Sequence, residues 1–536
     1  MNWRSNVVSL LLAVASGFAQ QAARMDQLVQ SYASDKKFMG TVLVARGDEV
    51  LLSKGYGSAN LEWNIANTPG TKFRLGSVTK QFTAASILLL EERGKLKTDD
   101  LVKKYMPDAP AAWDKITVYH LLTHTSGIPS FTSFADYRSL EPFATTPEKL
   151  VARFRDKPLD FQPGEKWSYS NSGYALLGYL LEKVSGQSYE KFVQENIFGP
   201  LVMKDSGYDS NSAVIARRAA GYAMGEQGEP LVNAGFIHMS VPFSAGALYS
   251  TTEDLLRWEQ GLFGGKLLTA ASLAKMTTPF KDDYGCGVGI RTVKGHKVID
   301  HGGGIEGFTT FLAYYPDSKL TVIVLSNMGG PAPQELTPKL AAIAQGETVE
   351  LPSERKEITL TPQFLKQYVG TYEMAPNVNF MIRLTNGQLS AQLSGQQALP
   401  LFAKSETVFF LKLVDAEIEF GKDYLVLHQG GRDQKAMRTS DSVAEKKEVT
   451  VPSKILAQYV GTYELRPGFD LVVTLEGDQL ISQATGQGKI PLFAESDTRF
   501  FPKVMDAEIE FFKDAQGKVT HLMLHQGPND VKGERK

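Results

Sequence analysis

FRLGSVTKQFTAASILLLEE, residues 73–92, holds a short strand pattern, a glycine turn and an apolar run long enough to bury a whole helix. Two polar residues stand at the head of that run. Ser77 and Lys80 are three apart, so a helix puts them on one face, one turn from each other. A serine hydroxyl is a poor nucleophile until its proton is taken. A lysine buried on such a helix can lose its charge and act as the base. The tetrad alone is weak, because Ser-x-x-Lys also begins at Ser34, Ser188, Ser272 and Ser353, all in charged or ordinary amphipathic segments. What separates Ser77 is its setting and its company: Tyr169-Ser170-Asn171 and His301-Gly302-Gly303 follow later in the chain.

Outward from this stretch the chain reads strands, then helices, then strands again. FMGTVLVARGDEVLLSKGYGSAN (38–60) alternates apolar and polar residues around Gly47-Asp48 and predicts a β-hairpin. Helix is expected from Ser77 to about Met106. ITVYHLLTHTSG (116–127) predicts a short helix with a glycine cap, and SYSNSGYALLGYLLEKVSG (168–186) a loop leading into an amphipathic helix. SAGALYSTTEDLLRWEQGL (244–262) shows a capping box, Ser250 with Glu253. YGCGVGIRTV, HKVIDHGG and GFTTFLAYYPDSKLTVIVLSN are strand-like. This order implies an α+β fold, an antiparallel sheet assembled from both chain ends and covered by helices.

From about residue 347 the texture changes. QYVGTYE at 367–373 returns at 458–464, DAEIEF at 415–420 returns at 506–511, and PLFA at 400–403 returns at 491–494, each displaced by 91 residues. HQG at 428–430 and 525–527 is displaced by 97, which places a six-residue insertion in the hairpin around KDAQGKV. This is a tandem duplication. Short alternating strands and turns in each copy predict small all-β barrels at 357–441 and 449–536, with the charged stretch SVAEKKEV (442–449) as linker.

Bulk properties narrow the function. A chain of 536 residues exceeds one core. Its net charge of −2 with no basic block argues against nucleic acid as a partner. MNWRSNVVSLLLAVASGFA (1–19) has Arg4, a short apolar run and small residues at positions 17 and 19, the pattern of a cleaved secretion signal ahead of a hydrolase domain at 20–346. The expected location is secreted or periplasmic, with no membrane span in the mature chain. Cys286 is the single cysteine, so no disulfide forms within the chain, and it is expected as a small buried strand residue. His120 and His124 have helical i, i+4 spacing but lack the glutamate of a zinc motif and are expected to cap or pack. His428, His521 and His525 are expected in barrel walls, and Phe409, Phe410, Phe500 and Phe501 in barrel cores.

The candidate site follows one mechanical logic. Ser77 attacks a carbonyl and forms an acyl-enzyme, with its own N–H at a helix N-terminus facing the oxyanion. Tyr169 can act as general base if a Lys80 cation lowers its pKa. Asn171 can donate its amide to substrate or to Lys80, or cap the helix that follows. DHGGGIEGF (300–308) carries glycines where backbone lies against a substrate. There His301 can bond a carboxylate or the tyrosine, Gly303 lets the strand approach, and the Gly304 N–H is the second oxyanion donor.

RLGSVTKQFTA, ITVYHLLTHTSGI, FQPGEKWSYSNSGYALLGYLLEKVSG, SAGALYSTTEDLLRW and HGGGIEGFTT together resemble the serine β-lactamase and penicillin-binding-protein superfamily, in the branch of class C β-lactamases, D-aminopeptidases, serine DD-peptidases and esterases. The resemblance spans about residues 25–345. It implies the β-lactamase/transpeptidase-like fold, Ser77 as the acylated nucleophile, and Lys80 and Tyr169 sharing the proton work. His301 stands where the family's Lys-Thr-Gly lysine stands, a departure that weakens the case for efficient penicillin hydrolysis. The C-terminal copies resemble lipocalin-like domains appended to such hydrolases. The expectation is therefore an exported serine hydrolase, needing no metal or organic cofactor, acting on small amides, esters or peptides that include D-amino-acid peptides. The alternatives are a β-lactamase proper and a penicillin-binding sensor or scaffold that acylates without turnover. The oligomeric state is left open.

Overall fold

The computed structural model describes residues 20–225, 231–429, 432–444, 446–466, 469–485, 487–527 and 529–536, so the expected leader 1–19 lies outside the described residues. The chain divides into two compact units at Glu354 and Arg355.

In the first unit, helix α1 (residues 20–34) precedes the hairpin β1 (Gly40–Arg46) and β2 (Glu49–Tyr56). Three helices matter to the site or the core: α2 (Thr79–Glu92), α3 (Asn171–Ser185) and α4 (Thr252–Phe263). The chain then returns as β3 (Gly289–Val293), β4 (His296–Ile305), β5 (Phe308–Tyr315) and β6 (Leu320–Ser326), and α5 (Ala332–Ala344) follows. One antiparallel sheet results, in the order β3-β4-β5-β6-β1-β2, with Leu43 opposite Ile323 across the junction of the two chain ends.

Both faces of this sheet are covered, so β1 and β6 are buried almost throughout. Alternate residues of β1 serve different cores. Val42 and Val44 pack with Met25, Leu28 and Val29 of α1 and Leu336 and Leu340 of α5. Leu43 and Ala45 face Phe82 and Leu88 of α2 and Leu255 of α4. Each fully buried side chain of this size contributes about 1.5–3 kcal/mol of transfer free energy, which anchors the site-bearing helices to the sheet.

Several elements end elsewhere than the sequence suggests. The α-helix starts at Thr79, after a 3₁₀ turn at Gly76–Val78, and stops at Glu92, where Gly94 takes a left-handed conformation and Lys95 N–H donates to Leu90 O. The helix Val118–Leu122 ends without the expected glycine cap: the left-handed residue after its C-cap is His124, at φ 57°. The N-cap of α4 is Thr251, whose side chain accepts from Asp254 N–H, while Ser250 lies in a strand and bonds Ser206. Cys286 is buried as expected, but in the loop before β3, where burial pushes its thiol up to about 12.

The second unit contains two barrels. Residues 461–535 form a closed eight-stranded barrel. Residues 370–440 form the same circuit as nine strands in one sheet, because the stave that is continuous over Ile490–Ala494 in the second copy is broken at Leu401 in the first. Tyr372, Phe409 and Phe420 line one core, and Tyr463, Phe500 and Phe511 the other. The Tyr372 hydroxyl donates to Tyr368 O, and the Tyr463 hydroxyl to Tyr459 O, so the duplication is kept at the level of single bonds. His428 and His525 sit in strands and bond Asp433 and Asp530 through equivalent atoms. The charged linker is partly docked: Val449 N–H donates to Ala494 O, and Lys446 pairs with Glu508. Among the described residues no helix is long and apolar enough to cross a membrane.

Candidate active site

Ser77 lies half-buried on the 3₁₀ turn between a short strand and α2. Two glycines make this placement possible. Gly76 has φ 53°, and a Cβ there would stand 2.8 Å from Gly304 N. A Cβ on Gly303 would stand 2.0 Å from Leu75 O. The glycines of β4 therefore bring the strand against the turn that carries Ser77, and Gly303 faces protein where a substrate contact was expected. Gly304 does border the cleft.

Lys80 is fully buried, and its Nζ has three oxygen neighbours: Ser77 Oγ at 3.0 Å, Asn171 Oδ1 at 2.8 Å and Ala245 O at 2.8 Å. Burial holds its pKa well below the usual lysine value. A neutral amine has two N–H donors and one lone pair. The carbonyl oxygens of Asn171 and Ala245 can only accept, so they take both donors, and the lone pair is left facing the Ser77 hydroxyl. Asn171 is held in turn, since its Nδ2 donates to Thr132 Oγ1 at 3.0 Å and its N–H to Ser130 Oγ at 3.1 Å. The cap of α3 is Ser170, not Asn171.

The Tyr169 ring lies 4.8 Å from Lys80 Nζ, and its phenol shares a hydrogen bond with Ser77. Burial raises the phenol pKa, and the bond to Ser77 lowers it by less. The expected lowering by a Lys80 cation is absent: burial pushes the phenol up and the amine down, each toward its neutral form. Desolvation thus favours amine over ammonium and phenol over phenolate, and the group whose lone pair can face Ser77 is Lys80.

His301 is also buried behind this group. Its Nδ1 donates to Gly302 O at 2.6 Å, leaving Nε2 to accept from the Tyr284 hydroxyl at 2.9 Å. Burial, then the nearby Lys80, brings its pKa down to about 3. Both ring nitrogens are thus engaged by protein, and the tyrosine they reach is Tyr284. A direct bond from His301 to a substrate carboxylate does not fit this geometry.

His124 is the residue whose importance the sequence hid. Its carbonyl accepts from Ser168 N–H at 2.9 Å, its Nδ1 accepts from Ser170 N–H at 3.1 Å, and its ring packs on Tyr169 with centroids 4.4 Å apart. One residue therefore grips both neighbours of Tyr169 and its ring. Its left-handed backbone turns the carbonyl and the side chain to the same segment, residues 168–170. We expect His124→Leu to lower kcat by about 10-fold or more with little change in KM, as displacement of a proton-transfer group does. His124→Asn, which keeps an acceptor near the Nδ1 position, should recover part of the loss; equal damage in both variants would mark a packing role alone.

Ser77, Asn171, Ala245, Gly304, Phe131 and Glu306 are among the residues lining a cleft of about 200 Å³. It is small against ordinary ligand pockets, which suits a short acyl group. His120 caps its own helix through Thr117, and among the described residues no group of side chains is placed to hold a metal ion.

Comparison with known proteins agrees with this fold. Residues 25–346 match the beta-lactamase family, and residues 354–424 and 445–535 match a domain of unknown function (DUF3471). The chain is 30% identical over 447 residues to penicillin-binding protein 4* of Bacillus subtilis, covering 77% of this chain and 98% of that protein. Among solved structures it resembles the octameric penicillin-binding protein homologue from Pyrococcus abyssi (28% identity, TM-score 0.57, 77% of this chain and 99% of that one). It also resembles a penicillin-binding protein from Bacillus halodurans (29% identity, TM-score 0.52, 59% and 98%). Fold and match together define a serine hydrolase. The chain belongs to the beta-lactamase family, on the penicillin-binding-protein side of it.

Proposed function

We propose that the protein is an exported hydrolase that cleaves small amides and esters, D-amino-acid peptides among them, through an acyl-enzyme on Ser77. The observation that carries this reading is the buried Lys80 amine with two of its three neighbours able only to accept. The Lys80 lone pair takes the Ser77 proton as Oγ bonds to the carbonyl carbon. The oxyanion meets the N–H groups of Ser77 and Gly304. The proton then passes from Lys80 through Tyr169 to the leaving nitrogen or oxygen, and the bond to that atom breaks. Water repeats the sequence on the ester and frees Ser77. Asn171 holds Lys80, and His301 with Tyr284 positions the wall behind it.

Labelling by a fluorophosphonate and by a fluorescent penicillin, with turnover of p-nitrophenyl esters and p-nitroanilides, tests the reading. Labelling without turnover would favour a sensor, and rapid nitrocefin hydrolysis a β-lactamase. Tyr169→Phe should slow acylation by ~10²-fold; rates equal to the native protein would remove Tyr169 from the proton path. Export rests on the pattern at 1–19, and a mature N-terminus at Gln20 would bear it out. The domain limits 20–346, 357–441 and 449–536, and the lipocalin-like character of the two barrels, belong to the same proposal.

A further inference from the structure

The loop over residues 128–132 is buttoned to the first turn of α3. Ser170 Oγ donates to Ile128 O at 2.8 Å, Ser172 Oγ donates to Pro129 O at 2.7 Å, and Phe131 N–H donates to Ser172 Oγ at 2.8 Å. These bonds set the loop's two hydroxyls against Asn171. Ser130 Oγ accepts the Asn171 N–H at 3.1 Å, Thr132 Oγ1 lies 3.0 Å from Asn171 Nδ2, and the two hydroxyl oxygens are 2.9 Å apart.

A side-chain amide has two ends of similar size and opposite chemistry, one accepting and one donating. With Oδ1 toward Lys80, the amine gives its two N–H groups to Asn171 and Ala245 and turns its lone pair to Ser77. Turned over, the amide would offer an N–H to that lone pair. The two amine N–H groups would then go to Ala245 O and Ser77 Oγ. Every group would still be bonded, yet Lys80 would donate to the hydroxyl it has to deprotonate. Two hydrogen-bonded states of one side chain therefore differ in whether the base exists. The group behind the amide decides between them. A threonine hydroxyl that gives its hydrogen to Ser130 Oγ presents only lone pairs to Asn171, and these accept from Nδ2 but repel Oδ1.

We propose that Thr132, with its hydroxyl hydrogen directed to Ser130, is a positioning residue that holds the Asn171 amide in the orientation that leaves the Lys80 lone pair for Ser77. The inference rests on the acyl-enzyme reading and adds the element that keeps its base competent. The turned state has its own kinetic signature. It exists only while the amine is neutral, because an ammonium has no lone pair to accept with. Populating it lowers kcat/KM on the plateau and leaves the ammonium-limited range untouched. The acid limb then moves to lower pH by the logarithm of the same factor. The other titratable groups around the amine are Tyr169 and Tyr174, with rings 4.8 Å and 5.5 Å from Nζ, and His124 and His301. Burial pushes both phenols up and both imidazoles down, so all four are biased to their neutral forms.

The test follows kcat/KM for a p-nitrophenyl ester against pH on the full chain, for the native protein, Thr132→Val and Thr132→Ser, with fluorophosphonate labelling of each. Valine keeps the shape of threonine and gives Nδ2 no acceptor. Loss of that hydrogen bond should lower the plateau by about 3- to 10-fold. The acid limb should move down by the matching ~0.5–1 pH unit, so that the two curves meet at low pH. Thr132→Ser should restore both. A lowered plateau with an unmoved limb, a native plateau in Thr132→Val, or the same loss in Thr132→Ser overturns the inference, while labelling of the native protein upholds the acyl-enzyme. Absence of labelling in the native protein overturns both.

Discussion

Ser77→Ala is expected to abolish covalent labelling by fluorophosphonate and penicillin probes and to lower turnover of every substrate by at least ~10⁴-fold. The substitution removes one oxygen from a half-buried turn, and that oxygen's contacts are Lys80 and Tyr169. The glycines that shape the turn stay, as does the anchoring of α2 in the core. Thermal stability should therefore hold or rise, because strain and desolvation at a reactive centre are relieved when the centre is emptied. A second serine cannot take over, since the other Ser-x-x-Lys serines lie away from the cleft lining. Retained labelling at native stoichiometry, with the adduct mapped to another residue, would end the proposal.

The second large effect concerns Lys80. Lys80→Met should cut the acylation rate by ~10³-fold, because no other group within reach of Ser77 Oγ is a base in its resting form. The pH dependence supplies a separate check. Burial depresses the folded-state pKa of Lys80, while in the unfolded chain it titrates near ~10.4. Between those two values the unfolded chain binds the extra proton, so native stability rises with pH through that window. The native protein should gain stability over Lys80→Met by up to ~1.4 kcal/mol per pH unit there, and the gain should end above ~10.4. A difference between the two proteins that stays flat from pH 6 to 10 would show that the amine is charged at rest. The acid limb of kcat/KM belongs to the same amine, since His301 has its pKa near 3 and His124 is also held low by burial.

Much of the site was legible because its members are side chains with chemical signatures. Ser77, Lys80, Tyr169 and Asn171 are fixed by spacing on a helix and by one Tyr-x-Asn, and the structure brings them into mutual contact. One partner that orients the Lys80 amine is a backbone carbonyl, Ala245 O, and carbonyls leave no trace in a sequence. His124 read as a helix residue because its left-handed backbone comes from bonds to residues 168 and 170, far along the chain. The cap of α4 slipped by one position because Ser250 and Thr251 are equally good caps, and strand pairing settled which one was free. Tyr169 shows the reverse error. Its place was readable, but its protonation depends on how dry that place is.

The duplicated barrels have a consequence for biogenesis. Their staves match closely enough that a hairpin from one copy carries the side chains the other needs, down to the paired tyrosines. Two such modules refolding together from denaturant can exchange hairpins and trap swapped species. Emergence from the ribosome, earlier copy first, removes that choice by letting one barrel close before its twin exists. Recovery of native protein from urea should consequently fall well short of the yield from vectorial synthesis.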